Sequence, residues 1–227
     1  MTLLPIANCS LKLEVIFCVQ AVVSPLLANL YMNRFLKYWL ITERGKAFRA
    51  QVVNYADDFV ILTSRHAAEA RAWTRKVMTR LGLTLNETKT KLKEARRESF
   101  DFLGYTFGPQ RHWKDGRWYL GASPSQKSVA RLRQKVNDVL TPRNTEPWPE
   151  VRTRLNRLLR GWSGYFSYGS LRRAYQAIDH HVGARVRQFL CRRHKVPTGG
   201  TRTISDDLIF GPLGVLRLRH VPAAARP

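Results

Sequence analysis

Two adjacent aspartates, Asp57 and Asp58, are the residues of this sequence best suited to chemistry. They stand between two runs of β-forming residues, 51–55 and 59–62, which predicts a hairpin with the acidic pair at its turn. Like charges side by side in a partly buried turn are costly, and a divalent cation removes that cost. Because Mg²⁺ favours one or two carboxylates with substrate phosphates, the pair predicts a magnesium site for phosphoryl transfer. A solvated acidic turn without chemical function is the alternative.

The charge balance points to a polyanionic partner. The 227 residues include 39 Lys and Arg against 16 Asp and Glu, which gives a formal net charge of +23. A chain this basic repels itself unless a polyanion offsets the charge. Nucleic acid is the first candidate, because Lys and Arg neutralise phosphates and release counterions. An anionic membrane surface and a ribosomal or histone-like basic protein are the alternatives.

The carboxyl-terminal half interleaves basic and aromatic residues on three predicted helices, over 125–140, 150–167 and 170–194. Arginine pairs with phosphate and stacks on bases, a combination that favours RNA. The alternatives are solvated helix faces for single arginines and core packing for Trp162, Tyr165 and Phe166. On the third helix Arg185 and Arg187 are also basic, and the candidate RNA-binding residues are Arg131, Arg133, Lys135, Arg152, Arg154, Arg157, Arg160, Arg172, Arg173, Arg192, Arg193 and Lys195.

The remaining pattern predicts a mixed α+β fold. Residues 1–23 show no clear pattern, and the end from Leu213 to Pro227 is expected to be frayed. The other predicted elements are a helix with Pro25 in its first turn that ends near 42–45, a helix over 66–81, a strand over 99–107 and a strand over 118–121.

The cysteines and the apolar runs bear on location. Cys9, Cys18 and Cys191 are odd in number and irregularly spaced, which argues against a disulfide framework and favours a reducing, cytoplasmic compartment. No apolar run has the length of a bilayer span, so a membrane partner is not expected.

Five blocks of the sequence resemble, in order and spacing, the group II intron-encoded reverse transcriptase/maturase family of retron-type enzymes. The resemblance covers roughly residues 24–220. The blocks are Ser-Pro-Leu-Leu-Ala-Asn-Leu-Tyr at 24–31, Tyr-Ala-Asp-Asp-Phe-Val-Ile-Leu at 55–62, Leu-Gly-Leu-Thr-Leu-Asn at 81–86 with Thr-Lys-Thr at 88–90, Phe-Leu-Gly-Tyr-Thr-Phe at 102–107, and Leu-Arg-Gly-Trp-Ser-Gly-Tyr-Phe at 159–166.

The resemblance implies three regions. Residues 1–23 are a divergent segment, and residues 24–123 are a partial polymerase palm, an antiparallel sheet with helices. Residues 124–227 are an α-helical thumb or maturase (X) domain. It also implies structured intron RNA and an RNA/DNA primer-template as partners.

The resemblance implies a role for each residue of the palm site. Asp57 would bind catalytic Mg²⁺, and Asp58 would support the ion or the primer end. Tyr55 and Ala56 would lie near the primer terminus and the incoming nucleotide. Two more residues would lie close to them: Lys89 near the hairpin and Gly104 at a close approach of backbone to primer. A surface lysine and an ordinary turn glycine are the alternatives for these two.

The sequence departs from the family at its amino-terminal end. The family carries fingers and another metal-binding aspartate before the first block, whereas the only acidic residue before Ser24 is Glu14. Val19-Gln20-Ala21 stands where the family has Gln-Gly-Gly. We therefore expect an amino-terminally truncated reverse transcriptase with an incomplete metal cage, unable to polymerise alone. An RNA-binding maturase module without enzymatic activity and a decayed open reading frame are the alternatives.

Overall fold

The computed structural model describes residues 2–5, 20–56, 58–86, 90–112, 115–195 and 204–220. It divides into a first unit of residues 1–102 and 107–120 and a second unit of residues 103–106 and 121–227. The α+β prediction is confirmed, because small antiparallel sheets are followed by a helical bundle. In chain order the elements are β1 Thr2–Pro5, α1 Gln20–Ile41, α2 Arg44–Ala47, β2 Ala50–Tyr55, β3 Asp58–Thr63, α3 Ala67–Arg80, β4 Lys93–Glu94, β5 Phe100–Phe102, β6 Tyr105–Arg111, β7 Trp118–Pro124, α4 Gln126–Val139, α5 Trp148–Tyr165, α6 Arg172–Arg193 and α7 Asp206–Phe210, before a 3-10 turn over Leu218–His220.

The first unit is built on a four-stranded sheet in the order β2-β3-β1-β4. The predicted hairpin is confirmed, since β2 and β3 pair antiparallel from Ala50↔Thr63 to Tyr55↔Asp58. One face of this hairpin packs against α1 and α3, where Phe35, Phe59 and Met78 are buried in a shared core. Burial of this apolar face stabilises the hairpin and leaves its turn at the end of the sheet.

Strand β1 lies inside the sheet, between β3 and β4. It pairs antiparallel with β3 from Thr2↔Thr63 to Pro5↔Val60, and with β4 through Thr2↔Glu94. The sequence pattern did not predict this strand, because four residues are too few to show a period. Its consequence is that β3 is an inner strand with both edges paired, so it does not offer the exposed edge that favours aggregation.

Two predicted boundaries are wrong. Helix α1 begins at Gln20, five residues before Pro25, because its buried stripe of Met32, Phe35 and Trp39 offsets the one hydrogen bond that proline cannot donate. The strand expected over 99–107 is two strands, β5 and β6, separated by a turn at Leu103–Gly104. A glycine inside a strand pattern marks such a break.

The second unit packs α4, α5 and α6 around one apolar core, which confirms three helices close to their predicted bounds. The expected fraying is wrong for residues 213–220. Val215 and Leu218 are buried in the same core as α6, together with Ile209 of α7. Burial of these side chains stabilises the segment after α6, and residues 221–227 lie outside the described part.

None of the helices in the described ranges combines the length and the apolar character needed to cross a bilayer.

Candidate functional site

The acidic turn joins β2 to β3. Tyr55 and Asp58 form the last cross-strand pair, which leaves Ala56 and Asp57 as a two-residue connection. Ala56 has a φ of 53°, in the left-handed region typical of the tight turns that join right-twisted strands. Asp57 and Lys89 lie outside the described residues, so their predicted roles stay predictions.

The end of the hairpin presents Tyr55 and Asp58 on the face opposite the apolar core. Phe59 and Ile61 are buried in that core, and successive strand residues point to opposite faces. Tyr55 is 64% exposed and Val53 is 40% exposed, whereas Asp58 is half-buried. Within the first unit, the hairpin end is therefore exposed at Val53 and Tyr55, whereas Val60, on the same face of β3, is buried.

The donors at this turn suit Mg²⁺ but are few. The carboxylates of Asp57 and Asp58 are of the kind that Mg²⁺ prefers. Within the described ranges, no three His, Cys, Asp or Glu side chains are grouped so as to hold a metal. Strand β1, which pairs with β3 at Pro5↔Val60, contains no acidic residue. Two ions need carboxylates from more than one strand, and β1 supplies none.

The second turn, at Leu103–Gly104, is held by the helices of the second unit. Both residues have positive φ, 49° and 77°, as a two-residue hairpin of type I′ requires. The Gly104 carbonyl accepts from the backbone N–H of Ser125 at 2.8 Å and from the Ser128 hydroxyl at 2.9 Å. A Cβ at Gly104 would lie 3.0 Å from Ser128 Oγ and 3.1 Å from Phe166 Cζ. This close approach is therefore to α4 and to the end of α5, and a contact with primer stays a prediction.

Aromatic residues fasten the same turn to α5. The Tyr165 hydroxyl donates to the Leu103 carbonyl at 2.9 Å, and the Tyr105 hydroxyl donates to the Tyr165 carbonyl at 2.9 Å. Burial raises the pKa of the Tyr105 phenol, which keeps it a donor. Phe166 is buried and Trp162 is half-buried, as core packing predicts, but Tyr165 is 58% exposed.

The predicted RNA-binding residues fall into two groups. Four are engaged within the fold: Arg133 donates to the Ala177 carbonyl, Arg154 pairs with Glu146, Arg193 donates to the Thr145 and Glu146 carbonyls, and Arg152 is half-buried beside Gly214. The others are exposed, and their side chains have no ion-pair or hydrogen-bond partner within the described ranges: Arg131, Lys135, Arg157, Arg160, Arg172, Arg173, Arg192 and Lys195.

Two charged residues of α6 form contacts inside the fold: Arg187, which was expected at the surface, and Asp179, which the motifs did not indicate. Arg187 is half-buried, pairs with Asp206 and donates to the Ile204 carbonyl at 2.8 Å. Asp179 is buried, and its carboxylate accepts the backbone N–H groups of Leu218 and Arg219. Its position on the apolar stripe of α6, four residues after Tyr175, is the signal that could have revealed it.

Both units match known domain families. Residues 21–107, which include the acidic hairpin, match the family model of the reverse transcriptase (RNA-dependent DNA polymerase). Residues 129–205, which include most of α4 and all of α5 and α6, match that of the group II intron, maturase-specific domain. No curated protein matches the chain in sequence.

Proposed function

Because the chain belongs to the group II intron-encoded reverse transcriptase/maturase family, we propose that its maturase helices bind structured intron RNA and assist splicing. The observation that carries this proposal is the set of eight exposed basic side chains on and after α4, α5 and α6. None of them has a carboxylate partner within the described part of the chain. A folded RNA brings many phosphates close together, and each of these unpaired cations could neutralise one of them.

The salt dependence of RNA binding tests this proposal. Filter binding of the full chain to a group II intron transcript, between 50 and 500 mM salt, is expected to give an affinity that falls steeply. Arg157→Gln should lower the salt slope by about one, because each phosphate contact contributes about that much. The matched control is Lys46→Gln, which removes a cation already paired with Glu43 at 2.7 Å in the first unit. A slope near zero, or an equal change in the control, would contradict the proposal.

The palm residues are proposed to act at a primer terminus. Asp57 would hold Mg²⁺ and Asp58 would support it, with Tyr55 and Ala56 beside the primer end and the incoming nucleotide and Lys89 near them. The exposed Tyr55, in the last cross-strand pair before the turn, supports this assignment. The same site lacks a carboxylate on β1, so we propose that this chain by itself does not extend a primer. An RNA-binding module without polymerase activity is the second candidate, and the carboxylate-free β1 favours it.

We propose a separate role for each region of the chain. Residues 24–123 would act as a partial palm and residues 124–227 as thumb and maturase domain, with an RNA/DNA primer-template as a further partner. We propose a cytosolic location, because Cys191 is a free, buried thiol and a reducing compartment keeps thiols free.

A further inference from the structure

A groove of about 580 Å³ runs along the second unit between α4, α5 and the Leu103–Gly104 turn. We call it the thumb groove. Its floor is apolar and aromatic, with Leu132, Leu158 and Trp162 among its lining residues, and the exposed Tyr165 also lines it. A groove of this volume is in the range of sites that hold small organic ligands.

The rim of the thumb groove is cationic. Arg131 and Lys135 of α4 and Arg157 of α5 line it, and all three are exposed. None of the three has an ion-pair or hydrogen-bond partner among the described residues, and no Asp or Glu lines the groove. The electrostatic match is therefore to an anion at the rim, while the floor favours an apolar ring.

Gly161 leaves the groove open along α5. It lies in the interior of the helix, where a glycine is unfavourable relative to alanine. A Cβ built at Gly161 meets no atom within 4 Å, in contrast to the Cβ built at Gly104. No packing contact within the described fold thus requires the absence of a side chain at Gly161.

We propose that the thumb groove receives one unstacked nucleotide of the bound RNA. The base would lie on the floor formed by Leu132, Leu158 and Trp162, and the flanking phosphates would lie at Arg131, Lys135 and Arg157. A nucleotide is the ligand that combines a flat apolar face with negative charge a few ångströms away, and single-stranded bases stack on aromatic residues in this way. This inference rests on the proposed RNA binding and adds to it a preference for unpaired nucleotides.

The test compares two RNA hairpins that differ by one bulged uridine. The full chain should bind the bulged hairpin about tenfold more tightly than the fully paired one, the scale that base stacking on aromatic residues provides. Gly161→Phe fills the groove and should abolish this preference, so that the two hairpins bind with equal affinity. Gly161→Ala, the matched control, should keep the preference.

A second measurement uses the unsubstituted chain. A 5-bromouridine placed at the bulge should crosslink on irradiation to Trp162 or Tyr165, identified by mass spectrometry. Equal binding of the two hairpins, a preference that survives Gly161→Phe, or a crosslink only to residues outside the groove would overturn the inference. Failure to bind either hairpin would instead overturn the proposed function together with the groove. Salt-dependent binding without preference would leave the proposed function in place.

Discussion

The carboxylate of Asp179 accepts the backbone N–H of Leu218 at 2.8 Å, across 39 positions of the chain. The same carboxylate accepts from the backbone N–H and from Nε of Arg219, both at 3.2 Å. Asp179 is only 3% exposed, so these bonds are shielded from water. They fix the segment after α7 to the middle of α6, where Leu218 is part of the core of the second unit.

Replacing Asp179 by alanine should strongly destabilise the second unit. The buried N–H of Leu218 would lose its acceptor, and an unsatisfied buried donor costs about 1–3 kcal/mol in the free energy of unfolding. Chemical denaturation measures this effect. Asp138→Ala is the control, because Asp138 is an exposed acceptor of Gln134 on α4, and it should change stability by under about 0.5 kcal/mol. Similar losses in the two variants would contradict the buried role of Asp179.

The Gly104→Ala variant should be less stable than the Gly214→Ala variant. Both glycines have positive φ, 77° and 71°, so each substitution has a backbone cost of about 1–2 kcal/mol. At Gly214 the added methyl meets the flexible side chain of Arg152, which can move aside. At Gly104 it meets the buried ring of Phe166 and the bonded Ser128 hydroxyl, which adds about 1–3 kcal/mol of overpacking.

Denaturation of the two variants separates these contributions, since both glycines belong to the second unit. Equal losses of stability would mean that Ser128 and Phe166 move aside to make room for the methyl group at position 104. The turn would then not be a rigid wall of the thumb groove.

The free energy of unfolding should fall as the pH is lowered, because the unfolded chain protonates His181 more readily than the folded chain does. Burial, and then the charge of Arg133, lower the pKa of His181 from its ordinary value of 6.5, with Arg185 and His180 acting in the same direction. The neutral ring contacts Asn137 Oδ1 at 3.1 Å. Because the unfolded chain takes up the proton more readily, the contribution of His181 is complete above pH 6.5. It declines as the pH falls toward the lower folded-state pKa.

The measurement is the free energy of unfolding at intervals between pH 7.5 and 5. His181→Gln, which keeps a side-chain donor for Asn137, should show a shallower decline than the unsubstituted chain. Parallel pH profiles would show that His181 does not contribute to the acid sensitivity.

Primer extension with Mg²⁺ should give no product above background. The reason is the acidic turn with Asp58 on β3 and no carboxylate on the neighbouring β1. The control is Asp57→Ala, in which any residual signal should be unchanged and would mark a contaminant. Template-dependent extension that disappears in Asp57→Ala would show that the two aspartates suffice and would refute the proposed inactivity.

The elements that could be read from the sequence are those whose pattern is local. The β2–β3 hairpin follows from two apolar runs around one acidic pair, and α4 to α6 follow from apolar residues at helical spacing. The turn at Leu103–Gly104 was missed because residues on both sides favour β structure, although Gly104 inside that run is a local signal for a break. Strand β1 was missed because its partners, and not its own composition, make it a strand.

The candidate site likewise combines features that have a local sequence signal with features that depend on tertiary contacts. Residue type and order indicated the acidic pair and the basic helices, and eight of the twelve predicted basic residues are exposed without a partner within the described ranges. Which arginines are free and which are engaged could not be predicted, because Arg154 and Arg157 belong to the same helix and differ only in their tertiary neighbours. The thumb groove was also beyond sequence reasoning, since α4, α5 and a distant turn each contribute to its lining.

The position of β1 has a consequence for how the protein is made. Thr2 pairs with Thr63 and with Glu94, so its partners leave the ribosome long after it does. At about 5–20 residues synthesised per second, β1 emerges roughly 5 to 20 seconds before its last partner strand, β4. During that interval β1 has no strand partners, and slower translation of the residues up to Glu94 would lengthen it.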